Sequence, residues 1–352
     1  MDHPTGGVVG EPAPPTRPRP AADDPQLADR LLESMDTVTV DLDAATVTVA
    51  GLPHTFEKPQ HARVVLRTAL YESWHAGIPA RSRPDALRPG RPRGGSDLER
   101  ALAAAVPHQR TRITATVVGP TTPTALSPRQ GEPDDAVVVA HGGVRLCVPG
   151  HALTGPEPTA GASVLVDVPA IRPWLSPGFL LVHGSAGGAR RGDRIQRLYV
   201  HLARPDAAVP VWSTVLAALE RRHVPYQAKI LSEPRHYPRR DALVVYLGTA
   251  HADAARAVAD AVAEVRAVVS GIGEQTSVFA ARIAPGVAQA AEPHDPRPGW
   301  QGLSFGQHRA AAVADGLIDH ARNPRTATRE EAVTRALLRA GVHPLAPEQN
   351  LR

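Results

Sequence analysis

Residues 194–231 constrain the fold more than any other stretch of this chain. In "RIQRLYVHL" Leu198, Val200 and Leu202 alternate with Arg197, Tyr199 and His201, which is the period of a β-strand with one apolar and one polar face. "PVWSTVLAALERRH" then predicts a helix beginning at Pro210, with Val211, Val215, Leu216 and Leu219 along its buried stripe. "VPYQAKIL" predicts a second strand that sets Gln227 and Lys229 on one side and Ala228 and Ile230 on the other. Strand, helix and strand in this order imply a right-handed crossover between two parallel strands, whether or not they are neighbours in the sheet. With the helix on the apolar face, Arg197, Tyr199, His201, Gln227 and Lys229 all project to the opposite side. One wall of a cleft can hold all five.

The surrounding sequence supplies more strands and helices of both kinds. Residues 1–25 are rich in Pro, Gly and Ala and predict a disordered tail. "PQLADRLLESM" predicts a short helix, "TVTVDLDAATVTVAG" a hairpin, and "QHARVVLRTALYESWHAG" an amphipathic helix. Residues 80–95, "ARSRPDALRPGRPRGG", break every periodicity and predict a mobile loop suited to peptide contact. A helix capped by Ser96 follows, with strands near 111–118, 136–148 and 162–168, and a further strand after the Pro-Gly pair of "LSPGFLLVHGSAGG". "RRDALVVYLG" reads as another strand and "TAHADAARAVADAVAEVRAVVSG" as a helix capped by Thr249. "SFGQHRAAAVADGLIDHA" begins a helix at Ser304, whose spacing to Gln307 is that of a capping box, and "TREEAVTRALLRAG" is the last helix. The expected class is α+β: a mixed sheet with a βαβ unit in the C-terminal half and two lobes around a cleft. The expected division is a tail over 1–25, an N-terminal α+β lobe over 26–190 and a C-terminal α/β lobe over 191–352.

Composition narrows the function. The net charge is only +4, aromatics make up 4% of the chain and the arginines are scattered, which argues against nucleic acid as a partner. There is no apolar run of membrane-spanning length and no basic, apolar leader, so a cytoplasmic address without membrane contact is expected. The single cysteine, Cys147, excludes an internal disulfide framework and a cysteine zinc cluster. HExxH and GxSxG are absent and the 16 histidines are dispersed, so neither a metal site nor a serine hydrolase is indicated and no cofactor is called for.

One residue type stands out. Of 39 Lys plus Arg only two are lysine, Lys58 and Lys229, and Lys229 lies inside an apolar strand. Arginine stays protonated, whereas a desolvated lysine can lose its proton and act as a base. A lysine base with arginines to hold phosphate are the parts needed to eliminate phosphate from a phosphorylated hydroxyl residue. The helix start at Ser304, with His308 and Arg309 in its first turn, adds free backbone N–H groups that suit an anion.

The pieces "LSPGF", "RLYV", "PYQAKIL", "YPRRDALVVYL" and "SFGQHR", in this order and spacing, resemble the HopA-type effector family. That family includes bacterial effectors and the lyase component of class V lanthipeptide and thioamitide biosynthesis. The resemblance runs from about residue 28 to 345 and is strongest after Gly178. It departs at Leu180, where an aromatic is expected. What it implies is a phosphoserine/phosphothreonine lyase partnered by an aminoglycoside-kinase-like enzyme, acting on a phosphorylated ribosomal precursor peptide to leave dehydroalanine or dehydrobutyrine, with a cyclase as a further partner. Carried onto this chain, it makes Lys229 the base. Arg239, Arg282 and Arg309 grip phosphate, with Arg197 and Ser304 beside them, and His308 or Tyr199 protonates the leaving group. Asp241 holds Arg239, with Tyr237 and Gln227 in support. Two other readings stand beside this one: a non-catalytic partner that binds the peptide or its kinase, and a lanthipeptide cyclase.

Overall fold

The strand, helix and strand of the second half form as the periodicity requires, and they organise the rest of the molecule. This computed structural model describes residues 27–79, 96–120, 136–155, 158–172, 175–188, 194–251 and 253–351; the expected tail over 1–25 and the loop over 80–95 lie outside the described residues. A six-stranded sheet is built from β9 (Phe179–His183), β10 (Ile195–Leu202), β11 (Tyr226–Leu231), β12 (Arg239–Gly248), β13 (Ala281–Ala284) and β14 (Val287–Ala291), in the order β13-β14-β10-β12-β11-β9. Helix α4 (Ala208–Glu220) carries the chain from β10 to β11. Strand β12 lies between these two and is antiparallel to both, so β10 and β11 run parallel without touching. The βαβ unit is therefore present, but the sheet is not mixed as expected. Every neighbouring pair in it is antiparallel, because the crossover skips one position and the short return through residues 232–238 fills it.

Each face of this sheet buries a different set of elements. Leu198, Val200, Leu202, Ala228 and Ile230 pack beneath α4, α5 (Asp253–Arg266) and the end of α3 (Asp97–Ala104). Trp212, fully buried in α4, donates its indole N–H to the Leu102 carbonyl at 3.1 Å and so fastens α3 to the layer. Helix α4 starts at Ala208, two residues before the expected Pro210. A 3₁₀ turn over Pro205–Ala207 leads into it, and Pro210 then sits within the first turn, where a missing N–H costs nothing. Thr249 likewise opens a 3₁₀ turn, and α5 begins only at Asp253.

The opposite face packs Tyr199, Val244, Ala288 and Ala290 against α1 (Asp29–Met35), the hairpin sheet β1 (Val38–Asp41), β2 (Thr46–Val49) and β3 (Leu52–Thr55), and the helices α2 (Ala62–Leu70), α6 (Phe305–Arg322) and α7 (Arg329–Arg339). Residues 27–74 and 279–342 thus share one core. Both C-terminal helices begin with capping boxes, Ser304 with Gln307 and Thr328 with Glu331, which satisfy otherwise unpaired backbone donors. A third, five-stranded antiparallel sheet of β4 (Arg110–Pro120), β5 (Val137–His141), β6 (Val144–Val148), β7 (Leu153–Thr154) and β8 (Ser163–Pro169) has its own small core of valines. It is joined to the large sheet at the Gly184–Gly188 turn, where the Arg112 N–H donates to the Ser185 carbonyl at 3.2 Å. No helix among the described residues is long and apolar enough to cross a membrane.

Candidate active site

Strand register places the polar wall in two adjacent rows. Gln227 is opposite His183 on one side and Tyr246 on the other, and Tyr246 is opposite Arg197. Two residues along, Leu181, Lys229, Val244, Tyr199, Ala288 and Arg282 form the next row. Cross-strand partners share a face, so Lys229 stands on the side away from α4, as the alternation predicts. Its ammonium lies 4.6 Å from the centre of the Phe179 ring and 3.5 Å from the Ser176 hydroxyl. Burial pushes the Lys229 pKa down to about 8; Asp241 opposes the shift, and Arg197 and Arg239 add to it. An amine so placed is partly neutral near physiological pH.

Arg239 stands against the same aromatic ring, its guanidinium 5.8 Å from the Phe179 centre. Asp241 holds it by two parallel bonds, Nε to Oδ1 and Nη2 to Oδ2, both 2.7 Å, and Nη2 also donates to the Tyr71 hydroxyl at 2.8 Å. Burial alone would raise the Asp241 pKa, but the Arg239 guanidinium reverses this and keeps the carboxyl well below the usual carboxylate range. The pair reaches this side of the sheet through an irregularity in β12. Val200 pairs with Leu243 and Leu202 with Arg239, so one residue of β10 faces three of β12. Ala242 and Leu243, consecutive in sequence, both join the α4-side core, and the chain before them switches face.

Tyr71 and His75 come from the far end of the chain. Helix α2 continues into a single π turn over Tyr71–Ala76 and stops at Gly77, whose φ of 67° is left-handed. That turn aims His75 at the Asp241 carboxylate, Nε2 to Oδ2 3.7 Å, while its Nδ1 meets the Ser277 hydroxyl at 2.9 Å. Burial pushes the His75 pKa down to about 4, so the ring is neutral at working pH.

Arg197 forms the other side of the wall. Its Nε and Nη2 donate to the two carboxylate oxygens of Glu292, and its guanidinium lies 5.0 Å over the Tyr246 ring. Neither Arg197 nor Arg239 spends its Nη1 on a partner among the described residues. Two guanidinium groups are therefore fixed by carboxylates and each keeps a free end, with the lysine beside them. Tyr199 occupies the Lys229 row but is enclosed, its ring 5.1 Å from His75 and 5.9 Å from Phe305. Among the described residues its hydroxyl has no hydrogen-bond partner, and burial drives its pKa up.

The remaining expected site residues fall elsewhere. Gln227 lies beside Lys229 on the same face. Tyr237 packs into the α4-side core and donates its hydroxyl to the Leu231 carbonyl at 2.7 Å, bracing the turn between β11 and β12. Arg282 is exposed on the edge strand, four strand spacings or about 19 Å along the row from Lys229. The Ser304 hydroxyl caps α6. His308 is fully buried, its Nδ1 accepting from Arg309 at 2.8 Å and its Nε2 donating to Asp295 at 3.0 Å. Arg309, also fully buried, donates to the Pro347 and Gln349 carbonyls and to the Asn350 side chain. Arg309 thus clamps the C-terminal segment onto α6, and both ring nitrogens of His308 are already spent on Arg309 and Asp295. His201, the last polar residue of β10, bonds the Gln275 carbonyl at 3.1 Å.

Comparison with known proteins bears on the part of the chain that carries the lysine wall. The model of the HopA1 effector protein family matches residues 170–348, just over half of the chain. The chain belongs to the HopA1 effector family. Two solved structures of effector proteins are similar in part. The one from Pseudomonas syringae pv. tomato strain DC3000 is 15% identical, with a TM-score of 0.40 over 49% of this chain and 63% of that one. The one from Pseudomonas syringae pv. syringae strain 61 is 14% identical, with a TM-score of 0.42 over 72% of this chain and 80% of that one. No curated protein matches.

The HopA1-family region contains Ser176, Phe179, Arg197, Lys229, Arg239, Asp241 and Glu292, whereas Tyr71 and His75 precede it. Sequence reasoning passed over Ser176, Phe179, Tyr71, His75 and Glu292. The one available signal was the spacing of Tyr71 and His75, a helical turn apart at the end of an amphipathic run. Leu180, where the family resemblance led us to expect an aromatic, is buried on the α4 side and does not touch the Lys229 wall. The approach of α6 to His75 allows a test of how tightly this region is packed. A Cβ at Gly306 would fall 2.2 Å from a His75 ring carbon. Gly306→Ala therefore lowers the unfolding free energy by about 1–3 kcal/mol, read from denaturant midpoints; an unchanged midpoint would show that His75 yields freely.

Proposed function

We propose that this protein is a phosphoserine/phosphothreonine lyase that removes phosphate from a kinase-phosphorylated ribosomal precursor peptide, leaving dehydroalanine or dehydrobutyrine. The observation that carries the reading is the half-buried Lys229 amine, with a pKa of about 8, set against Phe179 in company with two carboxylate-held arginines. In the step, the neutral Lys229 amine takes the Cα proton of the phosphorylated residue. The released electron pair becomes the Cα=Cβ double bond, the Cβ–O bond breaks, and phosphate departs with its electrons. The free ends of Arg197 and Arg239 neutralise the charge that gathers on the departing oxygen, which is where fixed donors lower a barrier most. Lys229 then returns its proton to solvent. Asp241 and Glu292 keep the guanidinium forks in place, with the Tyr71 hydroxyl donating to Asp241 at 3.4 Å and the neutral His75 ring packed behind it. The kinase that supplies the substrate, of the aminoglycoside-kinase-like type, and the peptide itself are the partners this reading requires.

Incubation with phosphoserine and phosphothreonine peptides, with products read by mass spectrometry, tests it. Loss of phosphoric acid to give a thiol-reactive residue is the expected result. Recovery of the free hydroxyl would make the protein a phosphatase, and unchanged phosphopeptide would favour the non-catalytic binding role.

A further inference from the structure

A cleft of about 1150 Å³ lies between the five-stranded sheet and the large sheet, on the same face as Lys229. Its floor is the row of His183, Gln227 and Tyr246, which is next to the Lys229 row and about 7 Å from it along the strands. Its opposite wall is formed by Thr114 of β4 and Leu165 of β8, direct cross-strand partners whose side chains are exposed. Residues 185–188 of the Gly184–Gly188 turn also line it. That turn is pinned by the Thr111 hydroxyl on the Gly184 carbonyl at 2.5 Å and by the Ser185 N–H on Glu220 at 3.0 Å.

The cleft is larger than the roughly 300–1,000 Å³ typical of small-molecule pockets, and the Arg and Glu side chains that line it among the described residues are matched. Arg112 is paired with Asp167, and Glu292 with Arg197. Among the described residues, a polyanion such as nucleic acid would find no unpaired cationic row there. Matched charges, polar floor groups and an exposed leucine suit an extended peptide of mixed composition. Glu292 lines the cleft and also holds Arg197, so the cleft and the anion-binding wall meet at one ion pair.

We propose that this cleft binds the segment of peptide flanking the phosphorylated residue, in extended form, and presents that residue to Lys229. The proposal rests on the lyase reading for its chemistry, and its test separates the two. Leu165→Arg and Thr114→Trp fill the cleft from a solvent-exposed wall of a separate sheet. Elimination is measured on a phosphoserine peptide with randomised flanks and on phosphoserine capped as its N-acetyl methylamide. Each variant lowers the ratio of kcat/KM for the long substrate to that for the short one by about tenfold, the effect of losing about 1.4 kcal/mol of binding. An unchanged ratio overturns the proposal. Binding of the fluorescently labelled long peptide is measured in parallel on the Lys229→Arg background, where no turnover interferes. Weaker binding on adding Leu165→Arg supports the cleft even if neither substrate reacts. Equal binding with and without Leu165→Arg, or none at all, overturns it.

Discussion

Lys229→Arg lowers kcat for elimination by about 10²–10⁴-fold, the usual contribution of a positioned base, while leaving the protein folded. The substitution keeps the positive charge beside Phe179 and Ser176, so it retains whatever attraction the ammonium has for phosphate. What it removes is the neutral form, since a guanidinium does not deprotonate in this pH range. Lys229→Ala removes both and is the less informative change. Kinetics on a phosphoserine peptide, with thermal unfolding of the same sample as a control, check the expectation. Wild-type rates in Lys229→Arg would take the proton transfer away from this residue.

Asp241→Ala has the largest expected effect on stability, about 3–5 kcal/mol, because it strands a buried guanidinium. Arg239 is 9% exposed and donates two of its three hydrogen bonds to this carboxylate; only the one to the Tyr71 hydroxyl would remain. Asp241→Asn keeps an acceptor and costs less. The pH dependence follows from the depressed carboxyl pKa. An Asp whose folded pKa lies below its unfolded value of about 3.9 contributes stability that is fully present above that value and is lost as pH falls toward the folded pKa. Wild-type denaturant midpoints therefore fall with acid below about pH 4 more steeply than those of Asp241→Asn. Parallel curves for the two proteins would mean that the ion pair does not form.

Much of the framework was open to reading because it depends on local periodicity. Alternation in 195–202 and 226–231 settled which residues share a face with Lys229, and the capping box at Ser304 marked where α6 begins. Where the reading stopped, long-range packing decides. Strict alternation along β12 would put Asp241 on the same side as Leu243, facing α4. The irregularity opposite His201 returns Asp241 and Arg239 to the Lys229 side, and nothing in the spacing of "YPRRDALVV" announces it. Tyr71 and Arg239 meet across 168 residues of chain, a contact that no local pattern encodes. Arg309 and His308 looked like anion ligands because a helix N-terminus favours them. In the folded chain Arg309 donates to the C-terminal segment, 38 to 41 residues downstream, and to His308, while the His308 ring donates to Asp295. The order of sheet neighbours was likewise hidden, since a crossover helix fixes the parallel relation of two strands but leaves open what inserts between them.

The pH profile of kcat/KM on a phosphoserine peptide tests the central claim most directly. A lysine base works only when neutral, and the Lys229 pKa is about 8. The expected profile rises about tenfold per pH unit below that value and levels off above it, and the rising limb is missing in Lys229→Arg. A wild-type profile flat through pH 8, or a limb that survives Lys229→Arg, would contradict it.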